Sequence, residues 1–552
     1  MPTLDVSKKD LEKILGKKLS ITQLEEVLEY VKGEIDSVNG DELKIDCKET
    51  NRPDLWSTEG LAREIKARTL KESGIKKYVV KKSDVVVTID KNLEKVRPLI
   101  ACAIVKNVSI DENFIIQMVQ LQEKVGDTFG RKRKETGIGL YDLDIMKPPI
   151  YYKGFKDNEI EFIPLEWIVK MRPSEILTQH DKGKQYAHLL EGAKLYPIVI
   201  DSNNVVASMP PIINSQTTGK VTEKTKNLFI EVTGFNWEII QTALEVMCMA
   251  LADRGGSIYS VKMKFPKGSI YPKKEIFSPE FKTKTLTFEK DLITKKTGLK
   301  LSDTQIKSLL TKARYNVKIN SKKIFVEYPA YRRDIFHAVD VIEDLLISYG
   351  YNNIVPQKIE MNVVGSQRKE AMLNDFIREA CIGIGLQEVM TYNLTSKEIQ
   401  SEKMNLNNVD KFVEIANPIS SNYQILRKLL TPQLLSFISK NKGAEFPQKI
   451  FEIGTCLDLD KNCENGVKQT NNLAIAITHS NVDFTEIKSI LATLCDYFGY
   501  KYTIEKVNIP FLSENSAKIT VNGKQGFIGE LSKEVEKNFG LKKPVVLLEF
   551  EL

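Results

Sequence analysis

The sequence predicts a multidomain protein of mixed α/β and α+β class. Its 552 residues exceed what one hydrophobic core accommodates, so about three to five domains are expected. Hydrophobic residues make up 42% of the chain and charged residues 28%, the balance of an ordinary globular protein. β-branched runs alternate with segments of helical period, and lysine-rich or proline-rich stretches separate them. No low-complexity tract and no repeat of about 20–50 residues interrupts this pattern.

The first predicted domain, residues 1–75, is a small module of helices and strands. Apolar residues recur at helical spacing over Ile21–Val31 and Leu61–Arg68. Between these two helices, Leu43–Cys47 has the composition of a short strand. A lysine-rich link, residues 76–82, follows the second helix. We therefore expect the module to end before this link.

The second predicted domain, residues 84–265, is a larger α/β segment. Helices are expected at Asn113–Val125 and Trp237–Arg254, where apolar residues recur at helical spacing. The Gly137–Gly139 pair in ETGIGLYDLD is too weak a signal for a phosphate-binding loop, and we interpret it as a tight turn. Strands are expected where β-branched residues cluster, at Val85–Ile89, Ile198–Ile200, Val205–Val206 and Phe229–Val232.

Two further domains are predicted after this segment. Residues 272–350 form a small domain with a helix at Thr304–Ala313 and a strand at Lys323–Glu327. Residues 356–552 form the last domain, which begins with a long helix at Lys369–Ile384. Its predicted strands include Ile450–Ile453 and Leu473–Thr478.

Four carboxylates gather at the start of one amphipathic helix, predicted to run from Asp334 as N-cap to Tyr349. Like charges four residues apart cost an isolated helix a few tenths of a kcal/mol, and a hard divalent cation such as Mg²⁺ would remove that cost. A solvated acidic face with an ordinary helix cap explains the same residues. The candidate metal ligands are Asp334, Asp340, Glu343 and Asp344.

The composition excludes several classes of function. Four histidines and seven scattered cysteines, with no C-x-x-C pair, provide little material for a zinc site or a histidine-based triad. The signatures of P-loops, zinc proteases, α/β-hydrolases and dinucleotide folds are absent. The sequence contains no run of about 18 uncharged apolar residues, so no membrane span is predicted. The scattered, unpaired thiols favour the cytoplasm. The net charge of +7 permits a nucleic-acid partner without requiring one.

Arginine is unevenly distributed along the chain. Arg427 is the last arginine, so residues 428–552 contain none. An arginine is the side chain best suited to clamp nucleotide phosphates through two parallel hydrogen bonds. We therefore do not expect the final domain to activate ATP alone.

Several segments, in this order and at these intervals, resemble one family. They are ETNRPDLWSTEGLAREI (Glu49–Ile65), GLYDLDIMKPPIYYKG (Gly139–Gly154), KQYAHLLEG (Lys184–Gly192), SMPPIINS (Ser208–Ser215), EVTG (Glu231–Gly234), YRRDIFHAVDVIEDLLISYGY (Tyr331–Tyr351) and GFIGEL (Gly526–Leu531). The family they resemble is the β subunit of phenylalanyl-tRNA synthetase, of the archaeal and eukaryotic cytosolic type. The resemblance covers essentially the whole chain.

This resemblance implies a function for each predicted domain. Residues 84–265 would be an editing domain, 272–350 a winged-helix-like domain whose four carboxylates hold Mg²⁺, and 356–552 a degenerate, non-catalytic domain similar to class II synthetases. The chain would join an α subunit in an (αβ)₂ tetramer, which uses ATP to attach phenylalanine to tRNA(Phe). The α subunit would carry the aminoacylation site, so this chain would supply none of its catalytic residues.

The resemblance also implies a pocket that hydrolyses mischarged tyrosyl-tRNA(Phe). A site that accepts phenylalanine cannot strongly reject tyrosine for one added hydroxyl, so a second, hydrolytic site is useful. Glu231 would accept a hydrogen bond from the tyrosine hydroxyl, while Ser208 and Thr233 would help to line the pocket. His180 and His188 would face tRNA, line the pocket or lie on the surface.

Two alternative functions stay open from the sequence. A free-standing hydrolase of mischarged tRNA would edit without any partner. A nucleic-acid-binding regulator would use the small domain, but it would need a basic recognition helix, whereas the most recognisable helix there is acidic.

Overall fold

The structure is a computed structural model that describes residues 2–69, 72–268, 270–271, 274–359, 361, 363–406 and 411–552. The chain divides into two compact units, Met1–Gln357 and Lys358–Leu552. Each unit combines helices with its own sheets, which confirms the mixed multidomain class. The finer division into four domains stays a prediction, and residues 272 and 273, at the start of the third, lie outside the described residues.

The first unit begins with a small three-stranded antiparallel sheet. Its strands follow the order β1-β3-β2, and the helices predicted in this segment are confirmed. Leu24 and Leu28 of α2 and Leu61 of α3 are buried and belong to the main core of the unit. The elements are β1 (Thr3–Ser7), α1 (Lys8–Leu15), α2 (Ile21–Leu28), β2 (Gly33–Asn39), β3 (Glu42–Cys47) and α3 (Thr58–Thr69).

A ten-stranded sheet follows in the first unit. Its strands are β4 (Val80–Ile89), β5 (Leu99–Lys106), β6 (Thr136–Asp142), β7 (Ile150–Phe155), β8 (Tyr196–Ile200), β9 (Val206–Met209), β10 (Ile213–Asn214), β11 (Asn227–Gly234), β12 (Ser257–Lys264) and β13 (Glu275–Ser278). Their order is β10-β9-β8-β7-β4-β12-β5-β11-β6, with β13 added beside β12. β4 pairs with β7 and β12 in parallel, and the other pairs are antiparallel. The helices of this segment are α4 (Glu112–Lys124), α5 (Pro173–Gln179), α6 (Asp181–Tyr186) and α7 (Trp237–Asp253).

The Gly137–Gly139 pair lies inside strand β6, so the predicted tight turn is wrong. Gly137 pairs with Thr233 and Gly139 with Glu231 across the β6–β11 ladder. The local sequence suggested a turn because glycine is usually depleted in strands. Here the strand needs glycine because Pro211 lies against Gly137, and the side chains of Tyr141 and Glu231 lie against Gly139.

A second antiparallel sheet completes the first unit. Its elements are β14 (Thr283–Glu289), α8 (Asp291–Thr297), α9 (Asp303–Lys312), β15 (Asn316–Ile319), β16 (Lys323–Pro329) and α10 (Ala338–Tyr349), with strand order β14-β16-β15. The prediction of Asp334 as N-cap is wrong, because α10 begins at Ala338 with His337 before it. Asp340 instead accepts the backbone N–H groups of Phe336 and His337 and so closes the first turn.

The second unit has helices on both faces of a seven-stranded sheet. Its order is β17-β20-β21-β25-β24-β23-β22, and only β17 and β20 run parallel. Along β21, Ile475 packs with α11 and α13, whereas Ala476 packs with α12 and α14. The strands of this sheet are β17 (Gln387–Glu388), β20 (Gln448–Leu459), β21 (Val467–Thr478), β22 (Tyr502–Lys506), β23 (Leu512–Val521), β24 (Lys524–Leu531) and β25 (Val545–Glu551). A separate two-stranded antiparallel sheet consists of β18 (Leu394–Thr395) and β19 (Ile425–Leu426). The helices are α11 (Lys369–Gly383), α12 (Thr431–Lys440), α13 (Phe484–Phe498) and α14 (Lys533–Phe539).

The last arginine of the chain is an internal group. Arg427 is buried and donates to Glu452 at 2.6 Å and to the Thr455 carbonyl at 2.8 Å. Gly454 lies so close that a Cβ there would meet the guanidinium at 2.3 Å. These contacts therefore hold Arg427 inside the fold. None of the helices in the described part of the chain has both the length and the apolarity that a bilayer crossing needs.

Candidate functional site

A cavity of about 450 Å³ opens in the first unit beside the ten-stranded sheet. Helix α4 contributes Phe114 and Met118, strand β6 contributes Leu140, and the segment around β9 and β10 contributes Pro211 and Ile212. This volume lies in the range of small-ligand sites. The cavity therefore combines apolar walls with room for a small ligand.

Glu231 brings a carboxylate to this apolar cavity. The residue is 2% exposed, and its Oε1 accepts a hydrogen bond from the Tyr141 hydroxyl at 2.9 Å. Its Oε2 is buried and has no hydrogen-bond partner in the described part of the chain. Burial raises the pKa of Glu231 to about 7, although the Tyr141 hydrogen bond and the charge of Arg97 oppose this rise. One oxygen is thus available to a ligand.

The predicted pocket residue Ser208 also lines the cavity. Its Oγ lies 2.7 Å from the Tyr141 hydroxyl, so Ser208, Tyr141 and Glu231 form one hydrogen-bonded group. The sequence patterns did not point to Tyr141. Strand alternation could have indicated it, because Gly139 and Tyr141 point to the same face of β6, and Gly139 pairs with Glu231.

Thr233 is not among the residues that line the cavity, and its role in the pocket stays a prediction. The period of two correctly places Thr233 on the same face as Glu231. However, the buried Arg97 covers it, donating from Nε to the Thr233 hydroxyl at 2.9 Å and from Nη2 to its carbonyl at 2.7 Å. Arg97 also donates to the carbonyls of Arg133 and Lys134, so it ties the loop before β6 to strand β11. Burial lowers the pKa of Arg97 to about 10.

His180 lines the cavity, whereas His188 is exposed elsewhere. The His180 Nδ1 accepts the backbone N–H of Lys182 at 3.1 Å, and its Nε2 lies 3.3 Å from the Leu165 carbonyl. The ring also packs against Trp167, with 5.5 Å between the centroids. Both ring nitrogens are occupied, so His180 forms part of the wall and is not free to act as a base.

The buried Glu231 carboxylate should make stability depend on pH. The folded chain binds its proton more tightly than the unfolded chain, with a pKa of about 7 against the ordinary 4.5. Its contribution to stability is therefore fully present below about pH 4.5 and is lost as the pH rises to about 7. Glu231→Gln should flatten this decline, by about 3 kcal/mol at most. Thermal unfolding midpoints from pH 5 to pH 8 test this, and an unchanged slope would contradict it.

The predicted acidic cluster is paired with basic side chains. Asp344 is buried and accepts hydrogen bonds from Arg332 at 2.7 Å, Arg68 at 3.1 Å and the Tyr315 hydroxyl at 2.7 Å. Arg332 also donates to Asp334 at 2.6 Å. Burial opposes ionisation of Asp344, but the neighbouring guanidinium charges prevail and hold its pKa well below its usual range. The cluster is thus neutralised within the chain.

The two other carboxylates are also engaged. Asp340 accepts two backbone N–H groups at the start of α10, and Glu343 accepts a hydrogen bond from Lys32 at 2.8 Å. Over the described ranges, no three His, Cys, Asp or Glu side chains are arranged to hold a metal ion. A Mg²⁺ ion would have to displace these partners, so the donors as arranged do not fit it. Magnesium binding by these four residues stays a prediction.

Comparisons with known proteins identify relatives along the whole chain. The family model described as "Phenylalanyl tRNA synthetase beta chain CLM domain" matches residues 354–552, and "tRNA synthetase B5 domain" matches residues 286–351. The phenylalanine–tRNA ligase beta subunit of Pyrococcus horikoshii is 45% identical over 558 residues, which cover 100% of this chain and 99% of the relative. The same subunit of Thermococcus kodakarensis is 43% identical over 572 residues, which cover 100% of this chain and 98% of the relative.

A solved structure is also similar to the first part of the chain. It is the crystal structure of an N-terminal fragment of the phenylalanyl-tRNA synthetase beta subunit from Pyrococcus horikoshii. The two chains are 47% identical with a TM-score of 0.60, and the match covers 63% of this chain and 100% of the fragment.

Proposed function

Because this chain belongs to the family of phenylalanine–tRNA ligase β subunits, we propose that it works with an α subunit in an (αβ)₂ tetramer. The assembly joins L-phenylalanine to tRNA(Phe), and ATP is converted to AMP and diphosphate. The names of the relatives support this assignment, since a beta subunit implies a partner chain. Seven unpaired cysteines support the cytoplasm as its compartment.

The α subunit is assigned the activation of phenylalanine with ATP. No arginine follows Arg427, and the structure uses Arg427 itself to neutralise the buried Glu452. The 428–552 segment therefore has no guanidinium with which to clamp the phosphates of ATP. The role of this chain in aminoacylation is to support its partner and to contact tRNA.

A second activity is hydrolysis of tyrosyl-tRNA(Phe) in the cavity around Glu231. The observation that carries this proposal is the buried Oε2 of Glu231, which has no partner among the described residues. The cavity around it combines apolar side chains such as Phe114 and Met118 with polar ones such as Ser208. A tyrosyl group would donate its phenol hydrogen to this oxygen. A phenylalanyl group would cover the oxygen without satisfying it, which costs about 1–3 kcal/mol. Water would then attack the ester carbonyl, and tyrosine and intact tRNA would leave.

Purified chain, alone and co-expressed with a candidate α subunit, tests both activities. The complex should charge tRNA(Phe) with phenylalanine and clear tyrosyl-tRNA(Phe), whereas the isolated chain should not activate phenylalanine with ATP. Activation by the isolated chain would refute the division of labour proposed here. Clearance of tyrosyl-tRNA(Phe) at the full rate without a partner would instead indicate a free-standing hydrolase.

Magnesium at Asp334, Asp340, Glu343 and Asp344 is proposed only for the assembled enzyme. The partner chain would have to supply groups that release these carboxylates from Arg332, Lys32 and the backbone. Calorimetric titration of the complex with Mg²⁺, compared with a complex carrying Glu343→Gln, tests this. Identical binding by the two complexes would argue against Glu343 as a ligand.

A further inference from the structure

Glu231, Gly139 and Tyr141 are brought together by strand register. Gly139 in β6 lies directly opposite Glu231 in β11, and Tyr141 follows two residues later on the same face. A Cβ at position 139 would lie 2.0 Å from the Tyr141 hydroxyl oxygen and 2.8 Å from Glu231 Oε1. Only glycine at position 139 therefore leaves room for the Tyr141 hydroxyl to lie against the carboxylate.

The Tyr141 hydroxyl is held as a hydrogen-bond donor to Glu231. Burial, followed by the nearby charge of Glu231, raises the pKa of Tyr141 well above its ordinary value, so it keeps its proton. A phenol has one hydrogen to donate, and an ionised carboxylate is the stronger acceptor of the two groups beside it. Ser208 Oγ, 2.7 Å away, holds the other side of the phenol oxygen.

We propose that Tyr141 is a positioning residue for the specificity of the cavity, and that Gly139 makes its position possible. The hydroxyl of Tyr141 fixes Oε1 of Glu231 and so presents Oε2 to the phenol of a tyrosyl group. The carboxylate thus binds two phenols, one from the chain and one from the substrate. This inference rests on the proposed hydrolysis of tyrosyl-tRNA(Phe).

The other groups that face Glu231 do not take this role. Cys102 lies opposite it in β5, Arg97 precedes β5, and Tyr152 is in β7. Cys102 stays protonated, because burial raises the pKa of its thiol well above the ordinary value. The Tyr152 hydroxyl donates to the Arg97 carbonyl at 2.9 Å. The Arg97 side chain donates to Thr233 and to two loop carbonyls. Tyr141 alone of these residues donates directly to the carboxylate.

The test uses the complex with the α subunit and compares Tyr141→Phe with Tyr152→Phe as a matched control. Both changes remove one buried hydroxyl from the same sheet, but only the first removes a donor to Glu231. The measured quantity is the ratio of kcat/KM for hydrolysis of tyrosyl-tRNA(Phe) over phenylalanyl-tRNA(Phe), from pH 5.5 to pH 8.5. Gly139→Ala is a second variant, expected to act in the same direction if it folds.

Tyr141→Phe is expected to lower the ratio about tenfold and to move the midpoint of its pH profile upward. The midpoint moves because the lost hydrogen bond had favoured the ionised carboxylate. A purely structural role would slow both substrates equally and leave the midpoint in place. If the wild-type complex hydrolyses tyrosyl-tRNA(Phe) and Tyr141→Phe changes neither the ratio nor the midpoint, the inference is overturned. A wild-type complex without hydrolysis overturns the proposed function, and the inference with it.

Discussion

Replacing Arg332 by methionine is expected to lower the free energy of unfolding of the Met1–Gln357 unit by about 3–5 kcal/mol. Arg332 is 4% exposed and donates to both Asp344 and Asp334. Its removal leaves the carboxylates of Asp334 and the buried Asp344 near each other without the positive charge that Arg332 had placed between them. Methionine fills much of the space of the arginine stem but cannot donate. Urea unfolding followed by circular dichroism measures the change.

The matched control for Arg332→Met is Lys295→Met. Lys295 also forms an ion pair, with Asp291 at 2.6 Å, but both side chains are mostly exposed. Solvent screens such pairs and the side chains lose entropy on pairing, so this variant should unfold close to the wild-type midpoint. If the two variants lose similar stability, burial is not what makes the Arg332 cluster strong.

Replacing Glu231 by glutamine is expected to lower kcat/KM for hydrolysis of tyrosyl-tRNA(Phe) by about ten- to a hundredfold. The amide keeps the shape of the carboxylate but loses its charge, so it accepts the substrate phenol more weakly. Tyr141 would still donate to the amide oxygen, which turns the amino group toward the cavity. Charging of tRNA(Phe) with phenylalanine should not change, because that reaction is assigned to the partner chain. Deacylation and charging assays on the same complex separate the two effects.

Glu245→Gln is the control variant, because it removes a buried carboxylate that lies outside the cavity. Glu245 lies in α7 and does not line the cavity, yet burial raises its pKa to about 7, as for Glu231. Both variants should therefore flatten the dependence of stability on pH in a similar way. Only Glu231→Gln should slow the clearance of tyrosyl-tRNA(Phe). Equal loss of clearance in both variants would assign the effect to stability and remove Glu231 from the site.

The elements that could be predicted from sequence are those with a strong local period. Helices α7 and α9 and strand β16 were expected within a few residues of their observed bounds, because apolar spacing follows the face that is buried. The start of α10 was not predictable in this way. Asp334 has the side chain of an N-cap, but Arg332 takes its oxygens, and Asp340 closes the helix start instead.

The site was predictable only where one strand determines it. Glu231 and Ser208 both line the cavity, since strand alternation decides which face they occupy, and their role there stays a prediction. Thr233 has the same alternation, but Arg97 from 136 residues away covers it, and no local pattern indicates such a contact. Tyr141 depends on register as well, because its hydroxyl reaches Glu231 only when β6 pairs with β11 through Gly139.

The buried arginines of α3 also affect the order in which the chain can fold during its synthesis. Arg63 pairs with Asp253 and Arg68 with Asp344, which are 190 and 276 residues later in the sequence. At ribosomal rates of about 5–20 residues per second, synthesis of these partners follows synthesis of α3 by about ten seconds to a minute. Arg68 already pairs with Glu64 on the same helix at 3.0 Å, but the carboxylate that pairs with Arg63 is Asp253. Burying the Arg63 guanidinium before Asp253 is made would therefore leave its charge unpaired in the core. We therefore expect α3 to complete its packing only after Asp253 has been made, and a chain truncated between α3 and Asp253 to leave this helix open to proteases.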